Sequence, residues 1–226
     1  MIGVAHQRVV RERLSTSEHT PLGLTLPVNI ADAEIKQVPF TSARDLIKKY
    51  EWLGTMPSGF RVAYGIFWEI YCGGVVVFGS PNPMQIAKSV FGGKWTDEVM
   101  QLHRGACVWW AHEHAASFLI GGALKRLSQD NKWRAVVAFA DPAAGEIGTV
   151  YQATNWTYCG WTAKRPDYFD ESGRRMVGNF QTAGLTRRPR PRKRRYLHLL
   201  GNRRLRAESK KQLKWEEFPY DKRLPA

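Results

Sequence analysis

The sequence has few cysteines, and this scarcity narrows what the chain can be. Its three cysteines, Cys72, Cys107 and Cys159, are odd in number and lie in apolar, β-prone stretches. Disulfide-stapled secreted domains use more cysteines in shorter chains. We therefore expect three buried core thiols and a reducing cytoplasm.

Long apolar segments are also missing. No run approaches the ~20 apolar residues of a membrane span, and the charged residues 1–13 lack the apolar centre of a secretory signal. A chain of 226 residues suits one domain. We predict a polar N-terminal arm or loosely attached segment at residues 1–27, a folded domain at residues 28–222 and no membrane association.

Acidic residues are too few to balance the basic ones. The chain has 34 Lys and Arg against 20 Asp and Glu, and residues 187–211 hold 12 of the basic residues and one Glu. Such a density suits a nucleic-acid backbone, although a disordered basic tail is the alternative. The predicted phosphate contacts are Arg187, Arg188, Arg190, Arg192, Lys193, Arg194, Arg195, Arg203 and Arg204.

Two apolar stretches joined by a helical pattern occupy the centre of the chain. Residues 102–110 and 133–140 are typical of strands, and residues 115–127 repeat apolar side chains at helical spacing. Parallel strands joined by a helix open a crevice at their carboxyl ends. The residues at these ends are Trp110, His112, His114, Ala140 and Asp141. We predict an α/β fold with its chemistry at this crevice.

Weaker patterns predict the remaining elements. They are a strand at 35–40, a helix capped by Thr41 or Ser42, a hairpin of 61–69 with 71–79, a short helix at 83–90, strands at 157–161 and 195–200, a helix capped by Asn202, and an aromatic segment at 215–220 that packs back on the body.

Several segments resemble the Mom family of phage DNA-modifying proteins. They are RGAC at 104–107, AAS at 115–117, ADPAAGEIGTVYQATNW at 140–156, YEWLGTMP at 50–57, and shorter matches at 78–79, 194–197 and 219–222. The resemblance covers about residues 35–222. It implies a GNAT-like fold: a mixed, mostly antiparallel sheet with a splayed central strand pair, helices on both faces and, here, a basic C-terminal extension.

The resemblance also implies an activity. Mom proteins convert selected adenines of double-stranded phage DNA to N6-carbamoylmethyladenine, which shields the genome from host restriction. It implies catalytic roles for Arg104, Asp141 and Tyr151, and a lid loop that contains Glu51 and Trp52. The structural alternatives are a salt bridge for Arg104, a turn cap for Asp141 and core packing for Tyr151. The expected location is the cytoplasm of an infected or prophage-carrying bacterium.

Two departures from the family pattern bear on mechanism. Glu51 and Trp52 stand where other members have His-Tyr, so Glu51 would serve as the base and Trp52 would stack on adenine. Iron has been linked to the family, so the resemblance keeps iron as a candidate cofactor. His112-Glu113-His114 fits no zincin spacing, and we assign no metal ligands. The segment before the central helix lacks the glycines of an acyl-CoA loop, which leaves Ser117 to hold an anion.

The implied product constrains the donor. Acetyl transfer from acetyl-CoA would leave N6–CO–CH3, whereas carbamoylmethyl carries an extra nitrogen, so glycyl-tRNA is at least as suitable a donor as acetyl-CoA. The adenine must leave the duplex for an aromatic pocket, for which Trp52, Trp109, Trp110 and Tyr151 are candidate walls. The alternatives are a non-catalytic nucleic-acid-binding protein on a degenerate GNAT fold and a GNAT acetyltransferase with another substrate.

Overall fold

The computed structural model describes residues 6–176 and 181–220, most of which build a sheet with helices packed on it. The helices are α1 (His6–Ser17), α2 (Phe40–Tyr50), α3 (Gln85–Val90), α4 (Ala115–Gln129), α5 (Thr149–Ala153) and α6 (Arg203–Gln212). The strands are β1 (Glu34–Val38), β2 (Phe60–Trp68), β3 (Tyr71–Gly79), β4 (Val99–Cys107), β5 (Ala135–Ala140), β6 (Thr157–Trp161), β7 (Pro166–Phe169), β8 (Thr186–Pro189) and β9 (Arg194–Leu199).

The main sheet is mixed and mostly antiparallel. Its order is β1-β2-β3-β4-β5-β9-β6, and β7 with β8 forms a separate two-stranded ribbon. Among the paired strands of the described residues, β4 and β5 run parallel and the others antiparallel. This topology confirms the predicted GNAT-like α/β fold.

The parallel pair separates along its length. Strands β4 and β5 are paired from Val99 opposite Ala135 to Gln101 opposite Val137. Beyond that point β4 continues to Cys107 and β5 to Ala140, but the two strands no longer pair with each other. Because α4 connects them as a crossover, their diverging carboxyl ends leave a cleft, where ligands bind in open α/β sheets.

Alternating side chains of β5 divide the core between the two faces of the sheet. Val136 and Ala138 belong to the larger hydrophobic cluster, which includes α2 and α4. Ala135 and Val137 belong to the smaller cluster, which includes α3 and Trp215. Period-two alternation requires this division when both faces are covered, so helices pack on both sides.

The C-terminal strand occupies an unexpected position. The predicted strands at 133–140 and 157–161 both exist, but β9 lies between them and pairs with each in antiparallel register. Asn202 caps α6 by accepting a hydrogen bond from the Leu205 backbone N–H, as predicted. Trp215 is buried at 8% exposure, which confirms that the chain packs back after α6.

Within the predicted arm, residues 6–17 form α1. Two local predictions are wrong. Helix α2 begins at Phe40 after Pro39, without the predicted cap from Thr41 or Ser42. Strand β4 ends at Cys107, so Trp110 lies beyond the strand end. Residues 1–5, 177–180 and 221–222 of the predicted arm and domain lie outside the described residues.

Candidate active site

A cavity of about 410 Å³ fills the cleft between β4 and β5, and we call it the cleft cavity. Strand β4, the start of α4, the end of β5 and the loop into α5 form its walls. The lid loop and α1 form the remaining wall of the cavity. Its polar and aromatic lining includes Gln7, Arg11, Glu51, Trp52, His103, Arg104, Asp141, Glu146, Tyr151 and Lys193. The structure thus brings together the four predicted catalytic residues and Trp52.

Asp141 forms the turn cap that was its structural alternative and also lines the cleft cavity. Its Oδ1 accepts a hydrogen bond from the Ala143 backbone N–H at 3.1 Å, which caps the turn after β5. Its Oδ2 lies 3.0 Å from Lys193 Nζ. The carboxylate is therefore fixed at the mouth of the cleft with one oxygen on the backbone and the other on a cation.

Glu146 is a site residue that sequence reasoning missed. Its Oε2 accepts a hydrogen bond from the Asp141 backbone N–H at 3.3 Å. Burial raises the pKa of the Glu146 carboxyl above its usual range, and the nearby Asp141 charge adds to this. A hydrogen bond from Trp52 and the charge of Lys193 oppose the shift without cancelling it. A buried carboxyl with a raised pKa is suited to general-base catalysis.

Glu51 belongs to the lid loop, and it is buried at 9% exposure. Its Oε2 accepts hydrogen bonds from the backbone N–H groups of Leu53 and Gly54 at 2.9 and 3.0 Å. Burial raises the pKa of Glu51, and the charge of Arg104 acts against that rise. Both backbone bonds bend the loop around this carboxylate, so Glu51 shapes the lid.

Arg104 ties the lid loop to β4. Its Nε donates to the Thr55 carbonyl oxygen and its Nη1 to the His103 carbonyl oxygen, both at 2.9 Å. The Glu51 carboxylate lies 3.9 Å from its Nε. The salt bridge that was the structural alternative for Arg104 is therefore present, with a long N–O distance. Together with the hydrogen bonds it gives Arg104 a role in positioning the lid loop.

Tyr151 lies in the wall of the cleft cavity against an aromatic cluster. Its ring centroid is 5.1 Å from that of Trp156 and 5.0 Å from that of Tyr196. Burial raises the pKa of its hydroxyl, so Tyr151 holds its proton and can only donate it. Gly148, at φ +81°, makes this packing possible because a Cβ there would clash with the Tyr196 ring.

Helix α1 contributes to the site although its sequence gave no periodic signal. Gln7 Oε1 accepts a hydrogen bond from the Trp52 backbone N–H at 3.2 Å, and Gln7 Nε2 donates to the Tyr50 carbonyl oxygen. Arg11 Nη2 donates to the carbonyl oxygens of Trp109 and Ala111 at 3.1 and 2.5 Å. These contacts fasten α1 across the lid loop and the end of β4.

Two predicted binding residues do not line the cleft cavity. Trp110 packs edge-on against Trp68 with centroids 5.9 Å apart, because β4 ends three residues earlier. Ser117 donates its hydroxyl hydrogen bond to the His114 carbonyl oxygen at 3.0 Å within its own helix. Among the described residues no group of three or more His, Cys, Asp or Glu side chains is placed to hold a metal ion.

The start of α4 is a poor cradle for a pyrophosphate. The Ala115 backbone N–H donates to the His112 carbonyl oxygen at 2.9 Å, and the His114 N–H donates to His112 Nδ1 at 3.1 Å. These donors are the ones that an acyl-CoA loop would present to phosphate. Glu113, 82% exposed, places a negative charge beside them. The start of α4 therefore presents fewer free donors to a pyrophosphate than an acyl-CoA loop does.

The predicted phosphate contacts divide into three groups. Arg194 is fully buried with its guanidinium 5.3 Å from the Trp161 ring centroid, so a nucleic-acid backbone cannot reach it and that prediction is wrong. Arg190 pairs with Asp167 at 2.5 Å on the β7–β8 ribbon. The others, exposed or half-buried, are Arg187, Arg188, Arg192, Lys193, Arg195, Arg203 and Arg204.

The splayed parallel pair, the crossover helix and the cleft between them define a GNAT-like α/β protein. The sequence profile of the Mom protein family matches residues 32–222. The chain therefore belongs to the Mom protein family. No curated protein sequence matches it. Within the described residues, every helix is too short or too polar to cross a membrane.

Solved structures with a similar fold are distant in sequence. A mutant agmatine N-acetyltransferase in its apo form is 14% identical, with 75% of this chain and 100% of that chain covered and a TM-score of 0.43. A GNAT-family acetyltransferase from Streptococcus pneumoniae is 11% identical, with 75% and 99% covered and a TM-score of 0.45. A spermidine N-acetyltransferase from Vibrio cholerae, in complex with CoA and spermine, is 8% identical, with 75% and 96% covered and a TM-score of 0.42.

Proposed function

We propose that the protein transfers an acyl-derived group to N6 of adenine in double-stranded DNA, and that the product is N6-carbamoylmethyladenine, a modification that protects phage DNA from restriction. The observation that carries the proposal is the cleft cavity, in which Asp141, Glu146, Tyr151 and Trp52 surround one space of about 410 Å³. That volume lies in the usual range of small-ligand pockets. Membership of the Mom protein family supports the choice of DNA adenine.

The target base must leave the duplex to enter this cavity. Extrusion costs a few kcal/mol, and aromatic side chains recover part of it by stacking. Trp52 is the aromatic residue placed for this role, because it lines the cavity on the lid loop and its side chain contacts Glu146. Closure of the lid over the base would exclude water from the carboxylates.

The two carboxylates at the end of β5 divide the acid–base work. Glu146 removes a proton from N6 during attack, since burial raises its pKa. Asp141 accepts a hydrogen bond from the amino group while Lys193 and the turn backbone hold it in place. Tyr151 keeps its proton because burial raises its pKa, and it gives that proton to the strongly basic leaving alkoxide.

The nitrogen of the product favours an activated glycine as donor. Attack of N6 on a glycyl ester forms the N6–C bond and releases the alcohol, leaving N6–CO–CH2–NH2. The free amine then attacks adenine C6, and cleavage of the C6–N6 bond leaves C6–NH–CH2–CO–NH2. Glycyl-tRNA would supply such an ester, and the poor pyrophosphate cradle at α4 supports it over acetyl-CoA, which carries no such nitrogen.

Mass spectrometry of nucleosides tests this proposal. DNA co-expressed with the protein should contain an adenine adduct with the mass of carbamoylmethyl, and labelled glycine should label it. Asp141→Asn, which keeps the cap to Ala143 but removes the charge, should reduce the adduct strongly. The matched control is Asp130→Asn, at an exposed carboxylate after α4.

The outcomes separate the alternatives. An adduct without label from glycine would exclude the glycyl route and leave acyl transfer intact. Unmodified DNA that the folded protein nevertheless binds would select the non-catalytic nucleic-acid-binding protein. An acetylated amine in place of a DNA adduct would select an acetyltransferase with another substrate.

A further inference from the structure

A second cavity, of about 600 Å³, opens at the edge of the sheet, and we call it the edge pocket. It lies between β6, the last strand in the sheet order, and the chain after α6. The Phe218 backbone N–H donates to the Tyr158 carbonyl oxygen at 2.9 Å and holds the two walls together. None of the residues placed in the proposed reaction lines this pocket.

Aromatic side chains form the floor and one wall of the edge pocket. Trp215 is 8% exposed and anchors the wall, whereas Phe218 is 46% exposed and Trp161 is half-buried. Gly160, at φ +73°, lets Phe218 approach β6, because a Cβ there would lie 3.0 Å from the Phe218 ring. Exposed aromatic faces on a fixed backbone are platforms for stacking planar groups.

Two guanidinium groups face the same pocket. Arg195 lies over the Trp215 ring at 4.6 Å and donates to the Cys159 carbonyl oxygen at 2.8 Å. Arg192 lies 5.7 Å from the Trp161 ring centroid and donates to the Thr162 carbonyl oxygen at 2.7 Å. Burial, with the added charge of Arg192, lowers the pKa of Arg195, which indicates that the two cations repel one another there.

These cations lack acidic partners within the structure described. Neither Arg192 nor Arg195 forms an ion pair with a described residue. The lining carboxylate, Glu216, is exposed, and Lys214 lies in the same wall. The pocket therefore carries an excess of positive charge beside aromatic faces, a combination that fits a phosphate attached to a planar base.

We infer that the edge pocket binds one unpaired nucleotide of a single-stranded nucleic acid, with its base against Phe218 and Trp161 and its phosphate on Arg192 and Arg195. A duplex would not supply this ligand, because stacking hides the faces of its bases. The site is separate from the adenine chemistry, since any base has a π face and the contacts read no base edge.

The chain connects the edge pocket to the cleft cavity. Arg192 lines the first and its neighbour Lys193 lines the second. The Thr162 backbone N–H donates to the Lys193 carbonyl oxygen at 2.8 Å, and the Lys193 N–H donates to Thr162 Oγ1 at 2.9 Å, which fixes this junction. A strand held in the edge pocket would lie next to the entrance of the cleft.

Oligothymidylate is the probe for this inference, because it contains no adenine and cannot report on the proposed reaction. Fluorescence anisotropy with a labelled dT20 should show binding by the full chain, and Phe218→Ala and Arg192→Ala should each weaken it about tenfold. The matched controls are Phe118→Ala, at an aromatic residue of α4 that is 41% exposed, and Arg44→Ala, at a surface ion pair. Both controls should bind like the parent protein.

A parallel measurement with RNA shows whether the bound strand is RNA or DNA. Oligouridylate that binds more tightly than oligothymidylate would indicate an RNA ligand, and the reverse would indicate displaced DNA. Phe218 is exposed, so its variant should fold, and circular dichroism checks this. Equal binding by parent and both pocket variants, or no binding of either oligonucleotide, would overturn the inference whether or not the DNA is modified.

Discussion

The two cavities differ in how their charges are balanced. In the cleft cavity Asp141 is paired with Lys193 at 3.0 Å and Glu51 faces Arg104 at 3.9 Å, while Glu146 is buried with its pKa raised. In the edge pocket the guanidinium groups stand without described carboxylate partners. Balanced charges with one carboxyl of raised pKa suit removal of a proton from a neutral nucleobase, whereas excess positive charge suits a phosphate.

The comparison also explains how one basic segment serves both cavities. Lys193 points to the carboxylates, Arg194 is buried and Arg195 reaches the edge pocket. The side chains of Arg194 and Arg195 leave β9 on opposite faces, and Lys193 lies before the strand begins at Arg194. The four consecutive basic residues 192–195 therefore lie in three different environments in the folded protein.

Removing the carboxyl of Glu146 should have the largest effect. In Glu146→Gln the group that accepts the N6 proton is lost, so the rate of adduct formation should fall by about a hundredfold or more. Quantitative mass spectrometry of the modified nucleoside measures this, with Glu113→Gln, at an exposed carboxylate, as the control. A rate within a fewfold of the parent would show that the cleft cavity does not use Glu146 as a base.

The buried cation between the two cavities should matter for stability. Arg194→Ala removes a large, fully buried side chain that stacks on Trp161, and the free energy of unfolding should fall by about 2–4 kcal/mol. Denaturant unfolding measures the loss. Arg187→Ala, at an exposed position of β8, should leave stability unchanged and weaken nucleic-acid binding. The opposite pattern would restore Arg194 as a phosphate contact.

The parts of the molecule that sequence patterns predicted are those with local periodicity. The β4–α4–β5 unit, the β2–β3 hairpin and the Asn202 cap depend on neighbouring residues, and all were found. The insertion of β9 between β5 and β6 depends on pairing between distant segments, which no local pattern reports. Such long-range pairing is set by tertiary packing.

The site was predicted less completely for the same reason. Asp141 was found because a turn pair follows an apolar strand. Glu146 was missed although it lies in the same resembling block, because its role depends on a turn that returns its carboxylate to the Asp141 backbone. A carboxylate six residues after the end of β5 was the available signal. Helix α1 has a polar sequence and contributes through Gln7 and Arg11.

The pH dependence of stability should detect the raised pKa of the buried Glu146 carboxyl. Because the pKa of Glu146 is raised on folding, the folded state holds this proton more tightly, and stability is lost as pH rises from about 4.5 through the folded pKa. Asp141, Lys193 and Trp52 surround the group. In Glu146→Gln the melting temperature should fall less between pH 5 and pH 7 than in the parent. An unchanged pH dependence would place the carboxyl in water.

The smallest expected effect concerns Ser117 at the start of α4, where an acyl-CoA donor would place its phosphates. Ser117→Ala should leave the rate of modification within about twofold of the parent, because the hydroxyl is bound to the His114 carbonyl oxygen and does not line the cavity. A donor whose phosphates sat on the start of α4 would need that hydroxyl, and the KM for the donor would then rise about tenfold while kcat stayed constant. The kinetic parameters for the donor therefore decide whether the acyl group arrives along α4, as it would from acetyl-CoA, or from the basic side of the molecule near Lys193 and Arg192.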